Sequence, residues 1–362
     1  MHFFPYVARF PAGGLLASYC LDPDTNDNPV FVGGTQISPD GGAHWGRRAT
    51  GLELHPMVFV PKPNNSLMGI PYEIMQQSVG DEHNFVAPSF LFTQGGRATL
   101  ETHDDIRIVD WPWPVDVTPS SQPRENWVAE LVLASDVLES EGRLLLVGYG
   151  KKKGEHFYRS FLLASEDGGH IWRYFSTIGL ADPALTASPD RYEGPNETTV
   201  TRLTDGDLMA VYRVGSGIAW HLRRTYSHDG GRTWSPVDTL PAYSVRPALL
   251  RSANGVVALS TGRPGIDLWL AGDARARQWQ RIDIVAHHNA WAPDASYRIG
   301  STGSGDTLRW QTDAYTNMVE VAPNRLLLIY DRDGIVRPPE RAPTGPEDIS
   351  RIFVLPIELE RR

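Results

Sequence analysis

The octapeptide Ser227-His228-Asp229-Gly230-Gly231-Arg232-Thr233-Trp234 occurs in two further versions, and this repetition constrains the fold more than any other feature of the chain. The other copies are Ser38-Pro39-Asp40-Gly41-Gly42-Ala43-His44-Trp45 and Ser165-Glu166-Asp167-Gly168-Gly169-His170-Ile171-Trp172. All three obey Ser-x-Asp-x-Gly-x-x-Trp. The pattern suits a tight turn between antiparallel strands: the Asp accepts backbone N–H groups, the Gly takes a positive φ, and the Trp buries a large ring beside the turn. The second and third copies start 62 residues apart and the first and second 127, about twice that, so a repeat with a worn turn should lie between them. A fixed period of this size marks a chain built from repeated units, and it outweighs the two-domain expectation for 362 residues.

A second pattern gives the same count. An apolar run, a polar turn usually carrying Gly or Asn, and another apolar run appear at 7–19, 57–71, 128–149, 199–212, 248–260 and 318–330. These read as six antiparallel hairpins. Worn turns are expected at 91–96 and at Ala271-Gly272-Asp273 with Trp279, and the segment 351–358 or the N-terminal segment should complete the last unit. No long helix is expected. Three segments read as loops: 102–124 with Trp111-Pro112-Trp113-Pro114, the Gly/Ser-rich 291–312 as a candidate lid, and the Pro-rich 337–347.

Net charge is −9, which disfavours nucleic acid or an anionic membrane as partner. Cys20 is the single cysteine, so no intramolecular disulfide can form. No run of eighteen apolar residues occurs. The start, Met1 to Pro5, lacks the regions of a signal peptide. The expected compartment is cytoplasmic if Met1 is the native start and extracellular if a signal has been removed.

The turn motif resembles the Asp-box of the sialidase (neuraminidase) superfamily, whose members are β-propellers. The resemblance implies an all-β fold, a six-bladed β-propeller with Asp-box turns formed by residues 1–362 as one catalytic domain. With strands A to D numbered from the axis outward, the boxes mark the face opposite the site. Side chains entering each A strand or leaving each B strand then converge on a central pocket. These are His55, Glu130, Asn196-Glu197, Arg246 and Tyr315, with Tyr19, Tyr72-Glu73, Tyr149, Tyr212-Arg213, Arg263 and Asp331-Arg332. A pocket rich in Tyr and Arg fits an acidic sugar, because guanidinium groups bind carboxylates bidentately.

In sialidases a glutamate opens the fourth A strand, an arginine ends its B strand, and a nucleophilic tyrosine opens the last blade. Asn196-Glu197-Thr198-Thr199-Val200 with Tyr212-Arg213 is similar to the first pair, and Ala314-Tyr315-Thr316-Asn317-Met318 to the tyrosine motif. By resemblance, Glu197 deprotonates Tyr315, which attacks the anomeric carbon, while Arg213 binds the substrate carboxylate. A phenol of reference pKa about 10 needs such a base at neutral pH. The chain departs from the pattern at two other arginines. Phe3-Phe4-Pro5 or Tyr6-Val7-Ala8 stands where the first blade should supply one, and Trp269 stands near the place of the other; Arg246 and Arg263 are the candidate substitutes. Tyr149, Tyr72 and Asn289 complete the candidate substrate-binding residues.

The segment Asp22 to Asn28 offers three candidate acid/base aspartates. It also begins like a calcium loop but lacks the Gly at its sixth position and the acid at its twelfth, so calcium is a candidate rather than a required cofactor. His287-His288-Asn289 supplies groups that titrate near neutrality, and with arginines it would suit β-elimination at a uronate. Three functions follow: an exo-acting glycoside hydrolase on an acidic oligosaccharide or polysaccharide, a lyase cleaving a rhamnose–glucuronate type of linkage, and a non-catalytic glycan-binding propeller.

Overall fold

The computed structural model describes residues 3–21, 33–46, 49–52, 56–71, 73–75, 83–94, 98–99, 106–115, 127–134, 137–186, 191–215, 220–302, 309–310, 312, 315–333 and 350–360. The fold is all-β, and each apolar hairpin of the sequence is present. Phe3–Arg9 pairs with Leu15–Cys20, Pro56–Lys62 with Ser66–Pro71, and Trp127–Leu133 with Arg143–Gly150. Tyr192–Arg202 pairs with Leu208–Gly215, Ala248–Arg251 with Val257–Gly262, and Asn317–Ala322 with Arg325–Arg332. Second strands such as Leu15–Cys20 and Val257–Gly262 are buried at every position. Such strands lie between neighbours on both faces, which explains their continuous rather than alternating apolar character.

Four hairpins grow outward into four-stranded sheets, with outer strands Gly33–Ser38 and Ala49–Leu52, Phe90–Thr93 and Ala98–Thr99, Arg223–Ser227 and Asp238–Thr239, and Ile266–Ala271 and Gln280–Asp283. The last hairpin is completed by Arg351–Glu358, one of the two segments proposed for that role. The third sheet is larger than a four-strand unit. Besides Arg159–Ser165 and Ile171–Gly179 it takes in Leu138–Ser140, Glu73–Met75, Phe85–Ala87 and Ile106–Val109. Because Trp127–Leu133 pairs with both Glu73–Met75 and Arg143–Gly150, this sheet curls back on itself.

Two loop expectations are thereby corrected. Within 102–124, Ile106–Val109 is a strand whose alternating Ile106 and Ile108 are buried, and Trp111 is buried beside them. Within and before 291–312 the chain forms the helix Ile284–Trp291 and a short 3-10 turn, Ala295–Tyr297. Asp283 caps that helix by accepting the Ala286 N–H at 2.8 Å.

Apolar clusters join neighbouring sheets. Tyr6 and Leu16 pack with Phe59 and Phe92; Val58 and Met68 with Leu131 and Trp172; Leu145 and Val147 with Val200 and Ala210. Met209 and Val211 pack with Leu249 and Leu259, and Ala258 and Leu268 with Leu326 and Leu328. Val7, Leu15 and Ala17 of the first sheet then meet Leu327 and Ile329 of the last, so the ends of the chain are stapled together.

The repeated turns share one geometry. Asp40 accepts the His44 N–H, Asp167 the Ile171 N–H and Asp229 the Thr233 N–H, at 2.9, 3.0 and 2.9 Å. Gly42, Gly169 and Gly231 have φ of 96°, 94° and 95°, where a side chain would be strained. A worn copy follows Ala271: Asp273 accepts the Arg277 and Gln278 N–H groups, and Ala276 takes the positive φ. In the second sheet Leu91, Phe92, Thr93 and Gln94 of the expected worn turn are described, the first three within Phe90–Thr93. Trp172 is fully buried and donates to the Gly169 carbonyl at 2.8 Å, whereas Trp45 is half-exposed. Trp172→Ala is therefore expected to cost about 3–5 kcal/mol. Urea unfolding should show a lowered midpoint at unchanged m for Trp172→Ala and a much smaller drop for Trp45→Ala.

Candidate active site

Two inner strands are distorted at the same end, and the lead-in to a third is strained. The pairing of Phe3–Arg9 slips between Phe3 and Tyr6, and that of Tyr192–Arg202 slips on either side of Asn196. Phe4 and Glu197, with Arg246 just before Ala248–Arg251, take φ of 51°, 42° and 39°. Left-handed backbone is costly for residues other than Gly and persists where surrounding contacts enforce it, commonly at functional sites. Here the distortions bring Phe4, Glu197 and Arg246 to Tyr315, which precedes Asn317–Ala322.

Glu197 is the centre of this group and is 3 % exposed. Its Oε1 accepts the Tyr315 hydroxyl in a short hydrogen bond. Its Oε2 accepts the Arg246 backbone N–H at 2.8 Å and lies 2.8 Å from Arg213 Nε. Arg213 reaches back into the same strand, with Nε donating to Asn196 Oδ1 at 2.6 Å and Nη2 to Glu193 Oε2 at 2.9 Å. Asn196 Nδ2 also donates to Glu193 Oε2, at 3.0 Å. The Tyr315 ring is held by Phe4 edge-on at 4.8 Å, and the Arg246 guanidinium lies 5.7 Å from its centroid.

Burial alone would raise the pKa of Glu197, but the net shift is downward. Arg213, the Tyr315 hydroxyl and both the backbone and the charge of Arg246 outweigh desolvation. Burial would likewise lower Arg213, yet Glu197 and then Glu193 hold it firmly protonated. The pair is thus an ionised carboxylate locked to a guanidinium, with a phenol hydrogen-bonded to the carboxylate's other oxygen. That arrangement can move a proton from Tyr315 to Glu197 as Tyr315 becomes a nucleophile.

The structure therefore gathers Tyr315, Glu197, Arg213 and Arg246. Tyr149 belongs beside them, since its hydroxyl acts electrostatically on Arg213, and its ring packs edge-on against Tyr158. Arg263 stands half-buried after Val257–Gly262, its N–H donating to the Gly265 carbonyl. Tyr72 and the Asp22-to-Asn28 segment, with its acid/base and calcium readings, lie outside the described residues. Trp269 lies within the fifth sheet and donates to Thr261 at 3.1 Å. Glu193 was not among the residues singled out in the sequence, and Phe4 and Tyr6 stood there only as occupants of the place of an absent arginine. Glu193 lies four residues before Glu197 on the same strand, and nothing in that spacing shows that a bulge brings both to one arginine.

His287, His288 and Asn289 lie on the helix Ile284–Trp291 and not on a loop. Both ring nitrogens of His288 are engaged, Nδ1 with the Tyr330 hydroxyl at 3.0 Å and Nε2 with the Tyr297 carbonyl at 2.8 Å. Burial lowers its pKa and favours the neutral ring. Asn289 exchanges two hydrogen bonds with the Ile299 backbone. His287 faces solvent near Trp291. These contacts secure the helix to the end of Arg325–Arg332.

The depressed pKa of Glu197 has a signed consequence for stability. Its contribution is present above the ordinary glutamate value of 4.5 and is lost as pH falls through the lower folded value. In Glu197→Gln that contribution is absent. The fall of the melting temperature on acidification below about pH 4.5 is expected to be shallower in the variant than in the wild type, as read by thermal unfolding across a pH series.

Residues 85–297 match the family described as BNR repeat-like domain. No curated protein matches the chain. Among solved structures, a protein of unknown function from Dyadobacter fermentans superposes with a TM-score of 0.65 at 17 % identity, over 99 % of this chain and 95 % of that one. The Hadza microbial sialidase Hz136 gives 0.58 at 13 % identity, over 99 % of this chain and 66 % of that one. The Penicillium chrysogenum α-L-arabinanase, solved with arabinobiose, gives 0.58 at 14 % identity, over 98 % and 93 %. At these identities the likeness concerns the fold. With more than half of its length matched, the chain belongs to the BNR repeat-like domain family, in keeping with its resemblance to the sialidase superfamily.

Proposed function

We propose that this protein is a retaining glycoside hydrolase, built as a six-bladed β-propeller, in which Tyr315 is the nucleophile and Glu197 its base. The observation that carries the reading is the hydrogen bond from the Tyr315 hydroxyl to a buried glutamate held ionised by Arg213. Six inter-sheet clusters among the described residues, including the one between first and last sheets, support the propeller count. In the first step the Tyr315 oxygen bonds to the anomeric carbon, and its proton passes to Glu197 Oε1. The glycosidic bond breaks with its electrons going to the leaving oxygen, which takes a proton from an acid. By resemblance that acid comes from the aspartates of the segment beginning at Asp22. Water then displaces Tyr315, and two inversions leave the configuration retained.

The charge of the substrate follows from Arg213. An acidic sugar is best held by a guanidinium whose charge is not already balanced by carboxylates. Arg213 already serves Glu197, Asn196 and Glu193, and a third carboxylate beside two others meets repulsion. This supports an uncharged sugar over the acidic one inferred from composition, and the arabinanase neighbour makes α-L-arabinofuranosides the first substrates to try. The contacts of His288 and Asn289 favour hydrolysis over the lyase reading.

Tyr315→Phe and Glu197→Gln are each expected to lower kcat at least about 100-fold while leaving folding intact, as measured by near-ultraviolet circular dichroism. With 4-nitrophenyl glycosides, the α-L-arabinofuranoside should be cleaved and the N-acetylneuraminide and glucuronide should not. Glu193→Gln, which removes one of the two carboxylate charges balancing Arg213, should raise the relative rate on the acidic glycosides. Preferred cleavage of the neuraminide by the wild type would overturn the charge assignment and leave the nucleophile assignment standing.

A further inference from the structure

Arg246 touches both partners of the proton transfer. Its backbone N–H donates to Glu197 Oε2 at 2.8 Å, from a φ of 39° that a residue other than Gly takes only under constraint. Its guanidinium lies over the Tyr315 ring, 5.7 Å from the centroid, and over the Tyr6 ring at 5.0 Å. Nη2 donates to the Met57 carbonyl at 3.3 Å, and the whole residue is 3 % exposed. One residue thus ties together the base on the fourth sheet, the nucleophile that precedes Asn317–Ala322, and the backbone of the second sheet. A guanidinium buried against two rings and engaged with a carbonyl is poorly placed to fork onto the carboxylate of a ligand.

The charges about the pair pull against each other. Arg213, 2.8 Å from Glu197 Oε2, favours negative charge on Glu197 and so resists handing it a proton. As Tyr315 attacks, its proton passes to Glu197 Oε1, and the negative charge moves from the carboxylate to the phenol oxygen until that oxygen bonds to the anomeric carbon. A cation over the Tyr315 ring stabilises the charge there, and burial leaves it little screened. The other charged and titratable neighbours among the described residues are Glu193 and Arg213 on the fourth sheet, Tyr149 on the third, Tyr6 on the first, and Asp331 and Arg332 at the end of Arg325–Arg332. Arg213 is balanced by Glu193, Asp331 accepts the Thr312 hydroxyl, and Arg332 donates to the Arg298 carbonyl. Arg246 is the cation that lies over the phenol.

We propose that Arg246 is not a ligand for the sugar but the positioning residue of the Tyr315–Glu197 pair: its backbone N–H holds the base, and its buried guanidinium eases the departure of the Tyr315 proton. The assignment rests on the hydrolase reading for its catalytic meaning, and on geometry alone for its electrostatic one. Arg213 keeps Glu197 ionised before the reaction, and Arg246 offsets the resulting reluctance of Glu197 to accept a proton.

The test reads Tyr315 directly, so its outcome is separate from whether a glycoside is cleaved. Protein labelled with ¹³Cζ-tyrosine is titrated, and the Tyr315 resonance is identified by its loss in Tyr315→Phe. That resonance follows the two proton steps of the Tyr315–Glu197 pair. In Arg246→Gln both steps should move up by about one pH unit or more, because loss of a positive charge disfavours the ionised phenol and the ionised carboxylate alike. Arg246→Lys, which retains the charge, should hold them within about half a unit of the wild type. On a neutral 4-nitrophenyl glycoside, Arg246→Gln should lower kcat at least about tenfold with KM altered less than about twofold. A titration in Arg246→Gln that matches the wild type, an equal upward shift in Arg246→Lys, or a raised KM at unchanged kcat would each overturn the proposal. Failure to cleave any glycoside would instead overturn the hydrolase reading, and the titration would still decide what Arg246 does to Tyr315.

Discussion

The pairing of Glu197 with Arg213 is the interaction on which the site depends. A carboxylate this deeply buried would take up a proton and become useless as a base unless an opposite charge were placed against it. Arg213 supplies that charge from the neighbouring strand, and Glu193 and Asn196 hold the guanidinium in turn. With Tyr315 these five residues form a chain in which each member fixes the next. The far end, Tyr315, needs only one hydrogen bond to receive the benefit.

Holding Glu197 against Tyr315 and Arg213 requires the backbone to leave its regular path. In an undistorted strand Glu193 and Glu197 would share a face but stand roughly 13 Å apart, too far to meet one guanidinium. The bulges flanking Asn196 and the left-handed φ at Glu197 shorten that path, so Glu193 and Glu197 reach the same arginine. Phe4 and Arg246 pay similar backbone costs to close on Tyr315. The strain is met by the apolar clusters between sheets, which fix the strand positions regardless of what happens at their ends.

What was legible in the sequence divides along the same physical line. The Ser-x-Asp-x-Gly-x-x-Trp turns and the buried second strands are local, and each repeat states them again, so turns and hairpins could be read at once. Glu197, Arg213 and Tyr315 could be read through resemblance, as could the place of Arg246. The strands Glu73–Met75, Phe85–Ala87 and Ile106–Val109 are three or four residues long, too short to show a period, and they exist only because the third sheet offers them an edge. The helix Ile284–Trp291 was masked by Ile284 and Val285, which look like strand residues, although Asp283 was a readable cap. Glu193 was invisible for a different reason: its role arises from a bulge, and a bulge leaves no reliable trace in spacing.

The separation of the two faces explains how one family can vary its chemistry. The repeated turns lie at the end of the sheets away from Tyr315, and they bond within themselves and to the adjacent sheet, as Lys62 does to the Gly168 carbonyl and Ser176 to the Gly231 carbonyl, so they hold the sheets' outer corners without touching the site. The site end instead draws single residues from several inner strands, and each can change without disturbing a turn. Here Phe4, in one of the two segments that could stand in place of an arginine of the sialidase pattern, packs against Tyr315, and Glu193 is set against Arg213. Both changes act in the same direction, removing positive charge available to a ligand. Under the function proposed above, a pocket with Tyr315 and Glu197 retained but with its cations internally balanced would keep the means of attacking an anomeric carbon while giving up the means of selecting a carboxylate.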